Sequence, residues 1–96
     1  MNEKEKSHQF TREAVERFAS FMLDEMIAND HKGDWSTWTD LTSIMMEFHY
    51  HEAKLILALS QGNSDLIKEH AADVANFMMM LLNATGNLHP SEPKVD

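Results

Sequence analysis

Glycine and proline, the residues that most often interrupt regular structure, occur only five times in this 96-residue chain. β-Sandwiches and barrels need a turn every few residues, and their turns depend on such residues. Between these glycines and prolines, apolar residues recur at spacings of three and four, which is typical of amphipathic helices. The sequence therefore predicts an all-α fold, an antiparallel helical bundle of three helices.

The helix boundaries follow from caps and apolar stripes. The first helix is predicted from about Thr11, a suitable N-cap, to about Ala28. Its apolar stripe consists of Ala14, Phe18, Phe21, Met22 and Met26. Residues 1–10 are expected to be a flexible N-terminus, 11–86 a single helical domain, and 87–96 a flexible C-terminal tail.

The second and third helices are expected to form an antiparallel hairpin. They are predicted from about Asp40 to Ser60 and from about Asp65 to about Ala84. Gly62 suits the position just after a helix, and Asn63 or Ser64 suits the N-cap of the next. The stripe of the second helix consists of Leu41, Ile44, Phe48, Leu55 and Leu59.

Composition excludes several classes of protein. The chain has no cysteine, which removes disulfides and thiolate metal sites. Its net charge of -8 disfavours binding to nucleic-acid backbones. No apolar run approaches the ~20 residues of a membrane span. We therefore expect a cytoplasmic protein that binds neither nucleic acid nor membrane.

The segment Val74–Leu82 has almost no polar face. A helix that is apolar all round is usually buried all round. Three helices are not expected to cover it, so the sequence predicts a dimer or tetramer formed through the third helix.

Ionisable residues interrupt the apolar stripes near the middle of the predicted hairpin. His51 and Lys54 share a face of the second helix, and His70 and Asp73 share a face of the third. A hairpin that turns at Gly62 brings the two pairs level with each other. Buried ionisable groups are costly unless they are paired or bind a ligand, which indicates a site in the bundle core.

Two other interpretations of the cluster stay open at this point. A Lys54–Asp73 ion pair could fix helix register without any ligand. A zinc site formed by His51, His70 and Asp73 is chemically reasonable, but the charge of Lys54 in the same cluster argues against a cation. The expectation is that no metal and no cofactor is bound.

The block His31–Trp35 and above all the segment Ala72–Met80 resemble the MazG-like family of all-α nucleoside triphosphate pyrophosphohydrolases. The resemblance covers roughly residues 20–85. It implies a bundle of MazG type, completed by oligomerisation, with Mg²⁺ held by carboxylates of an E-E-x-x-E motif and an E-x-x-D motif.

Carried over residue by residue, the first motif falls on Tyr50-His51-Glu52-Ala53-Lys54 and the second on His70-Ala71-Ala72-Asp73. Only Asp73 matches. Mg²⁺ prefers oxygen ligands, whereas lysine and protonated histidine donate directly to phosphate oxygens. The departure from the family pattern therefore predicts a cationic site that binds phosphate without a metal ion. Such a site is not expected to catalyse hydrolysis.

The resulting hypothesis is a non-catalytic protein that sequesters a nucleotide or nucleotide-derived signal, for example a viral protein that removes a defence signal. Lys32 would reach a phosphate, Trp35 or Trp38 would stack on a base or else cover the bundle end, and Asn76 would contact a base or sugar edge. The predicted ligand-binding residues are His31, Lys32, Trp35, Trp38, Glu47, Tyr50, His51, Lys54, His70, Asp73 and Asn76.

Two alternatives belong to other functional classes. The first is an active Mg²⁺-dependent pyrophosphohydrolase with a metal site rebuilt from Glu47, Glu69 and Asp73, together with Glu25. The second is a helical interaction protein whose polar core has only a structural role.

Overall fold

The computed structural model describes residues 1–89, which form three α-helices and two short 3₁₀ turns. Helix α1 spans Glu3–Ala28, α2 spans Leu41–Gln61 and α3 spans Ser64–Ala84. The 3₁₀ turns, Asp30–Lys32 and Trp35–Thr37, lie in the loop between α1 and α2. Residues 1–89 contain no β-strand, which confirms the predicted all-α class.

The hairpin of α2 and α3 forms as predicted. Gly62 follows α2 with φ +63°, a left-handed conformation that glycine adopts without the strain of a Cβ atom. The next residue, Asn63, caps α3, because its side-chain oxygen accepts a hydrogen bond of 3.1 Å from the backbone N–H of Leu66. This two-residue connection makes α2 and α3 antiparallel neighbours, with the largest interhelical contact in the molecule.

The predicted start of α1 near Thr11 is wrong, because the helix begins at Glu3 and includes most of the segment expected to be flexible. The side chain of Asn2 is the N-cap and accepts a 2.8 Å hydrogen bond from the N–H of Glu5. Thr11 lies inside the helix, where its hydroxyl donates to the carbonyl of Ser7. An Asn N-cap with two glutamates in the first turn favours a helix start at Glu3, which is earlier than the start that the apolar stripe alone predicts.

Helix α3 lies between the other two helices. It packs against α2 on one side and against α1 on the other, and the second 3₁₀ turn covers part of it. The most buried residues in the described part of the chain come from α2 and α3: Ile44, Ala58, Ala72, Asn76 and Met80. Two residues of the predicted α2 stripe, Leu41 and Leu59, are about half exposed, because the buried face is centred on Ile44 and Ala58.

The first two thirds of α1 extend away from this core. Residues 1–20 are exposed throughout, including Ala14 and Phe18 of the predicted stripe. Only the end of the helix packs on α3, with Phe21, Met22 and Met26 half-buried. The radius of gyration is 16.4 Å, whereas a compact domain of this length has about 13 Å.

The apolar segment of α3 is better covered than the sequence indicated. Residues 74–81 are buried or half-buried within the protomer, and Leu82 is the exposed member of the run. The premise that three helices cannot cover this segment is therefore wrong, because α3 is the central helix. The large exposed apolar side chains lie mainly on α1 and α2 instead.

The loop between α1 and α2 is attached to α3 at two points. The side-chain amide of Asn83 donates to the carbonyl of Ser36, and the rings of Trp38 and Phe77 meet edge to face. Asp34 stabilises the second 3₁₀ turn by accepting hydrogen bonds from the backbone and hydroxyl of Ser36. The loop is thereby held over one end of the helical hairpin.

None of the helices in residues 1–89 combines the length and apolar character required to cross a bilayer. Most of the predicted C-terminal tail, residues 90–96, lies outside the described residues.

Candidate functional site

A cleft of about 780 Å³ opens between the interhelical loop and the middle of the bundle. All three helices contribute to it, and the loop forms its rim. Its lining residues are Glu25, Met26, Ile27, Asn29, Asp30, Lys32, Gly33, Asp34, Trp35, Trp38, Glu47, His51, Lys54, Glu69, His70, Asp73, Asn76, Phe77 and Met80. Small-molecule sites in proteins typically measure about 300–1,000 Å³, so the cleft has an ordinary size for a ligand.

Asp73 lies at the base of the cleft between two histidines. Its Oδ2 atom is 3.3 Å from Nδ1 of His51 and 3.5 Å from Nδ1 of His70. The three side chains are only 12–20% exposed. Neither Nδ1 atom has a hydrogen bond of good geometry, although both atoms are buried. The predicted convergence of the two helix faces is thus present in the structure.

Burial lowers the pKa of the His51 imidazole below its ordinary value, which disfavours the cationic form at neutral pH. The carboxylate of Asp73 opposes this effect, and the charge of Lys54 adds to it. One face of the ring lies near Phe77, with the ring centroids 5.0 Å apart. The predicted role of His51 as a positively charged phosphate ligand is therefore disfavoured near pH 7.

Glu25 brings a second carboxyl group from α1 to the cleft. Burial raises its pKa to about 7, and a hydrogen bond with Asp73 and the negative charges of Asp73 and Glu69 act in the same direction. The side-chain amide of Asn29 donates to Glu25 Oε2 at 3.4 Å and weakly opposes the shift. Near neutral pH, Glu25 is therefore poised between its protonated and charged forms.

Lys54 lines the cleft without pairing with Asp73. Its Nζ atom lies 4.4 Å from the centroid of the Tyr50 ring, which is a cation–π geometry. Within residues 1–89 no ion pair joins Lys54 to Asp73, so the register-fixing ion pair considered from the sequence is not formed. The ammonium group is therefore not neutralised by Asp73.

The two tryptophans and Lys32 form the rim of the cleft. Trp35 and Trp38 are half-buried, and the edge-to-face contact of Trp38 with Phe77 has a centroid distance of 6.2 Å. Lys32 is exposed beside them. This arrangement agrees both with stacking on a ligand and with a cover over the bundle end, the two roles that the sequence left open.

Nine of the eleven predicted ligand-binding residues line the cleft: Lys32, Trp35, Trp38, Glu47, His51, Lys54, His70, Asp73 and Asn76. His31 is exposed and does not contribute to the lining. Tyr50 is also outside the lining, although its ring supports Lys54. Asn76 is 3% exposed, and its amide nitrogen donates to the carbonyl of Met22 at 3.0 Å, which ties α3 to α1.

The charge balance of the cleft differs from the predicted cationic site. Six carboxyl groups contribute to the lining: Glu25, Asp30, Asp34, Glu47, Glu69 and Asp73. Two lysines, Lys32 and Lys54, contribute to the same lining. An anionic ligand therefore needs either these lysines or an additional cation to offset the carboxylates.

Sequence reasoning missed the contributions of Asn29, Asp30, Asp34 and Phe77 to the cleft. Asp34 and its neighbours carried a signal, since short polar residues flank Gly33, whose φ of +120° bends the loop over the cleft. Phe77 follows Asp73 by four residues on α3, so helical periodicity places it on the face that carries His70 and Asp73.

Comparisons of the chain with family models, with curated proteins and with solved structures found no match.

Proposed function

We propose that this protein is a non-catalytic binding protein that holds a nucleotide or a nucleotide-derived signal in the cleft. The observation that carries the proposal is the composition of one cleft of about 780 Å³, whose lining includes two tryptophans, two lysines and a polar base. Aromatic rings suit a nucleobase, and lysine side chains suit a phosphate.

The lysines are the groups best placed to bind phosphate. Lys54 is held by Tyr50 rather than by a carboxylate, and Lys32 belongs to the rim beside Trp35. His51 contributes little positive charge near pH 7 because burial lowers its pKa. The ligand is therefore expected to lie with its base at the tryptophans and its phosphate towards Lys54.

A titration of tryptophan fluorescence tests this proposal directly. We expect at least one member of a panel of nucleoside triphosphates, cyclic mononucleotides and cyclic dinucleotides to cause a saturable change. Trp35→Phe and Trp38→Phe assign the change to one ring. Calorimetry repeats the titrations without relying on tryptophan. If neither method detects binding of any member of the panel, the nucleotide proposal is wrong, and the chain is better described as a helical interaction protein.

The carboxylates favour a second candidate function, a metal-dependent pyrophosphohydrolase. Glu47, Glu69 and Asp73 line the same cleft, and carboxylate oxygens are the ligands that Mg²⁺ prefers. Against this candidate, Oδ2 of Asp73 has an imidazole nitrogen on each side, and nitrogen ligands suit Mg²⁺ poorly.

Pyrophosphate release separates the two candidates. We expect no turnover of any canonical deoxynucleoside triphosphate with Mg²⁺ or Mn²⁺. Steady turnover that is abolished by EDTA and by Asp73→Ala would establish the enzyme instead.

We also propose that the chain assembles with copies of itself. Phe10, Ala14 and Phe18 are spaced by four along α1 and are all exposed, so they form one apolar face without cover in the protomer. Ile56, Leu57 and Leu59 of α2 are each more than half exposed. A second copy that covers these faces completes the bundle, which moves the proposed interface from α3 alone to α1 and α2.

A further inference from the structure

The geometry at the base of the cleft points to a site for a divalent transition-metal ion of the Zn²⁺ type, held by His51, His70 and Asp73. This inference goes beyond the proposed nucleotide binding and does not depend on it. It concerns three side chains from two helices, whose positions are fixed by the hairpin.

The separations of the donor atoms fit a metal ion. Each of the three residues offers a ligand atom, and these atoms lie within 4.8 Å of one another. In a tetrahedral site with metal–ligand bonds of about 2.0–2.1 Å, neighbouring ligand atoms are about 3.3–3.4 Å apart. The two Nδ1–Oδ2 distances of 3.3 and 3.5 Å are close to that value.

The hydrogen bonding of the cluster also leaves a role for an ion. Nδ1 of His51 and Nδ1 of His70 are buried, yet neither has a hydrogen-bond partner among residues 1–89. Buried polar atoms without a partner are rare and need an explanation. A metal ion bound to both nitrogens and to Asp73 accounts for both atoms together.

The surroundings complete the site. The far nitrogens of the two rings face carboxylates, with His51 Nε2 3.8 Å from Glu47 and His70 Nε2 3.9 Å from Glu69. Carboxylates commonly orient histidine ligands of metals through the nitrogen that does not bind the ion, and both separations here are somewhat longer than a hydrogen bond. The objection drawn from the sequence, a lysine inside the cluster, is weakened because the Lys54 ammonium lies over the Tyr50 ring.

The donor set selects the class of metal. Two imidazole nitrogens and one carboxylate oxygen suit Zn²⁺ and neighbouring divalent transition metals, whereas Mg²⁺ requires mostly oxygen ligands. Three protein ligands leave a fourth position that faces the cleft. A phosphate oxygen bound there would use the metal charge to offset the six carboxylates of the lining.

Calorimetry on the chelator-treated protein, without any nucleotide, tests the site. We expect one Zn²⁺ per chain and no comparable binding of Mg²⁺. His70→Gln and Asp73→Asn should each weaken Zn²⁺ binding by about a hundredfold or more, since even residues outside the ligand set contribute about 10- to 100-fold. The matched control is His49→Gln, because His49 lies on α2 two residues from His51 but is 66% exposed.

A second measurement uses the unaltered protein, so it does not depend on the variants folding. In long-range ¹H–¹⁵N NMR spectra, Zn²⁺ should shift the Nδ1 signals of His51 and His70 and leave those of His49 in place. Absence of Zn²⁺ binding, equal binding of Mg²⁺, or equal weakening by His49→Gln would each overturn the inference. Because no nucleotide is present, failure of this site leaves the proposed nucleotide binding standing, and the reverse also holds.

Discussion

The two ends of α1 show how differently two parts of one helix can be stabilised. Residues 21–28 pack on α3 and contribute Glu25 and Met26 to the cleft. Residues 3–20 continue the same helix but are exposed on every side. Most helical stability in proteins comes from tertiary packing of an amphipathic face, and the exposed part has no such packing within the protomer.

The two parts of α1 also differ in the chemistry of the surface that they border. Around the packed end, polar and ionisable side chains converge on a cleft, and His51, His70 and Asp73 at its base are largely buried. Along the exposed part, Phe10, Val15 and Phe18 are apolar and open to solvent, at 74%, 63% and 40% exposure. Large apolar side chains left exposed on a helix favour contact with another protein chain.

The largest expected effect concerns the exposed part of α1. Phe18→Glu should abolish self-association at micromolar concentration, because burying a phenylalanine contributes about 1.5–3 kcal/mol and a buried unpaired charge adds a further cost. Ala19→Glu is the matched control, since it adds the same charge one residue later, about 100° around the helix. Light scattering checks both variants, and a monomeric wild-type protein would show that no such interface exists.

The Asn76→Ala variant tests how the end of α1, residues 21–28, is held on α3. Asn76→Ala removes the 3.0 Å hydrogen bond to the carbonyl of Met22 and should lower the free energy of unfolding by about 1–3 kcal/mol. Asn83→Ala is the control on the same helix, because Asn83 donates to Ser36 at an exposed position and should cost less. Urea denaturation measures both. Equal losses in the two variants would mean that the buried bond does not hold α1 on α3.

The Lys54→Met variant tests whether the cleft binds the phosphate of a nucleotide. Hydrogen bonds to charged groups contribute about 1.5–3 kcal/mol, so Lys54→Met should weaken nucleotide binding about ten- to a hundredfold. Lys68→Met serves as the control, because Lys68 is an α3 lysine outside the cleft whose Nζ lies 5.9 Å from the centroid of the Phe21 ring. Calorimetric titration with the tightest nucleotide of the panel gives the two affinities. Unchanged affinity in Lys54→Met would remove this lysine from the phosphate site.

The smallest effect is expected at the start of α2. Hydrogen bonds from the hydroxyl and backbone N–H of Ser43 lower the pKa of the Asp40 carboxyl below its ordinary value. A lowered folded-state pKa stabilises the protein above about pH 4 and loses that contribution as the pH falls through the folded-state pKa. The stability difference between wild type and Asp40→Ala should therefore shrink in acid.

Asp40→Asn separates the cap from its charge. Asparagine caps helices about as well as aspartate but does not titrate. Its stability advantage over Asp40→Ala should therefore persist in acid, as followed by thermal unfolding. A decline parallel to that of the wild type would show that another carboxyl group is responsible.

Local patterns made the hairpin and most of the cleft predictable from the sequence. Gly62 and Asn63 fix the turn, and spacings of three and four place His51 level with His70 and Asp73. The carboxyl groups that α1 and the loop bring to the cleft, and the burial that lowers the pKa of His51, depend on tertiary packing, which is why the cluster appeared more cationic from the sequence than it is. The position of α3 between α1 and α2 was likewise not encoded in any single helix, so its apolar segment was assigned to an intermolecular surface.

The sequence also gave little information about α1 beyond its stripe. The helix start at Glu3 depends on the Asn2 cap, which is a local signal. How far α1 packs on the core depends on the crossing with α3, and the same apolar spacing continues on both sides of Phe21. The pattern alone therefore cannot separate the packed end from the exposed part.

The central claim is that the cleft holds a nucleotide-type ligand without hydrolysing it. The most direct measurement is to denature the freshly purified protein and to identify the released small molecules by mass spectrometry, with Lys54→Met purified in parallel. We predict an intact phosphate-bearing nucleotide from the wild type and less of it from the variant. Release of no nucleotide, or of equal amounts from both proteins, would contradict the claim.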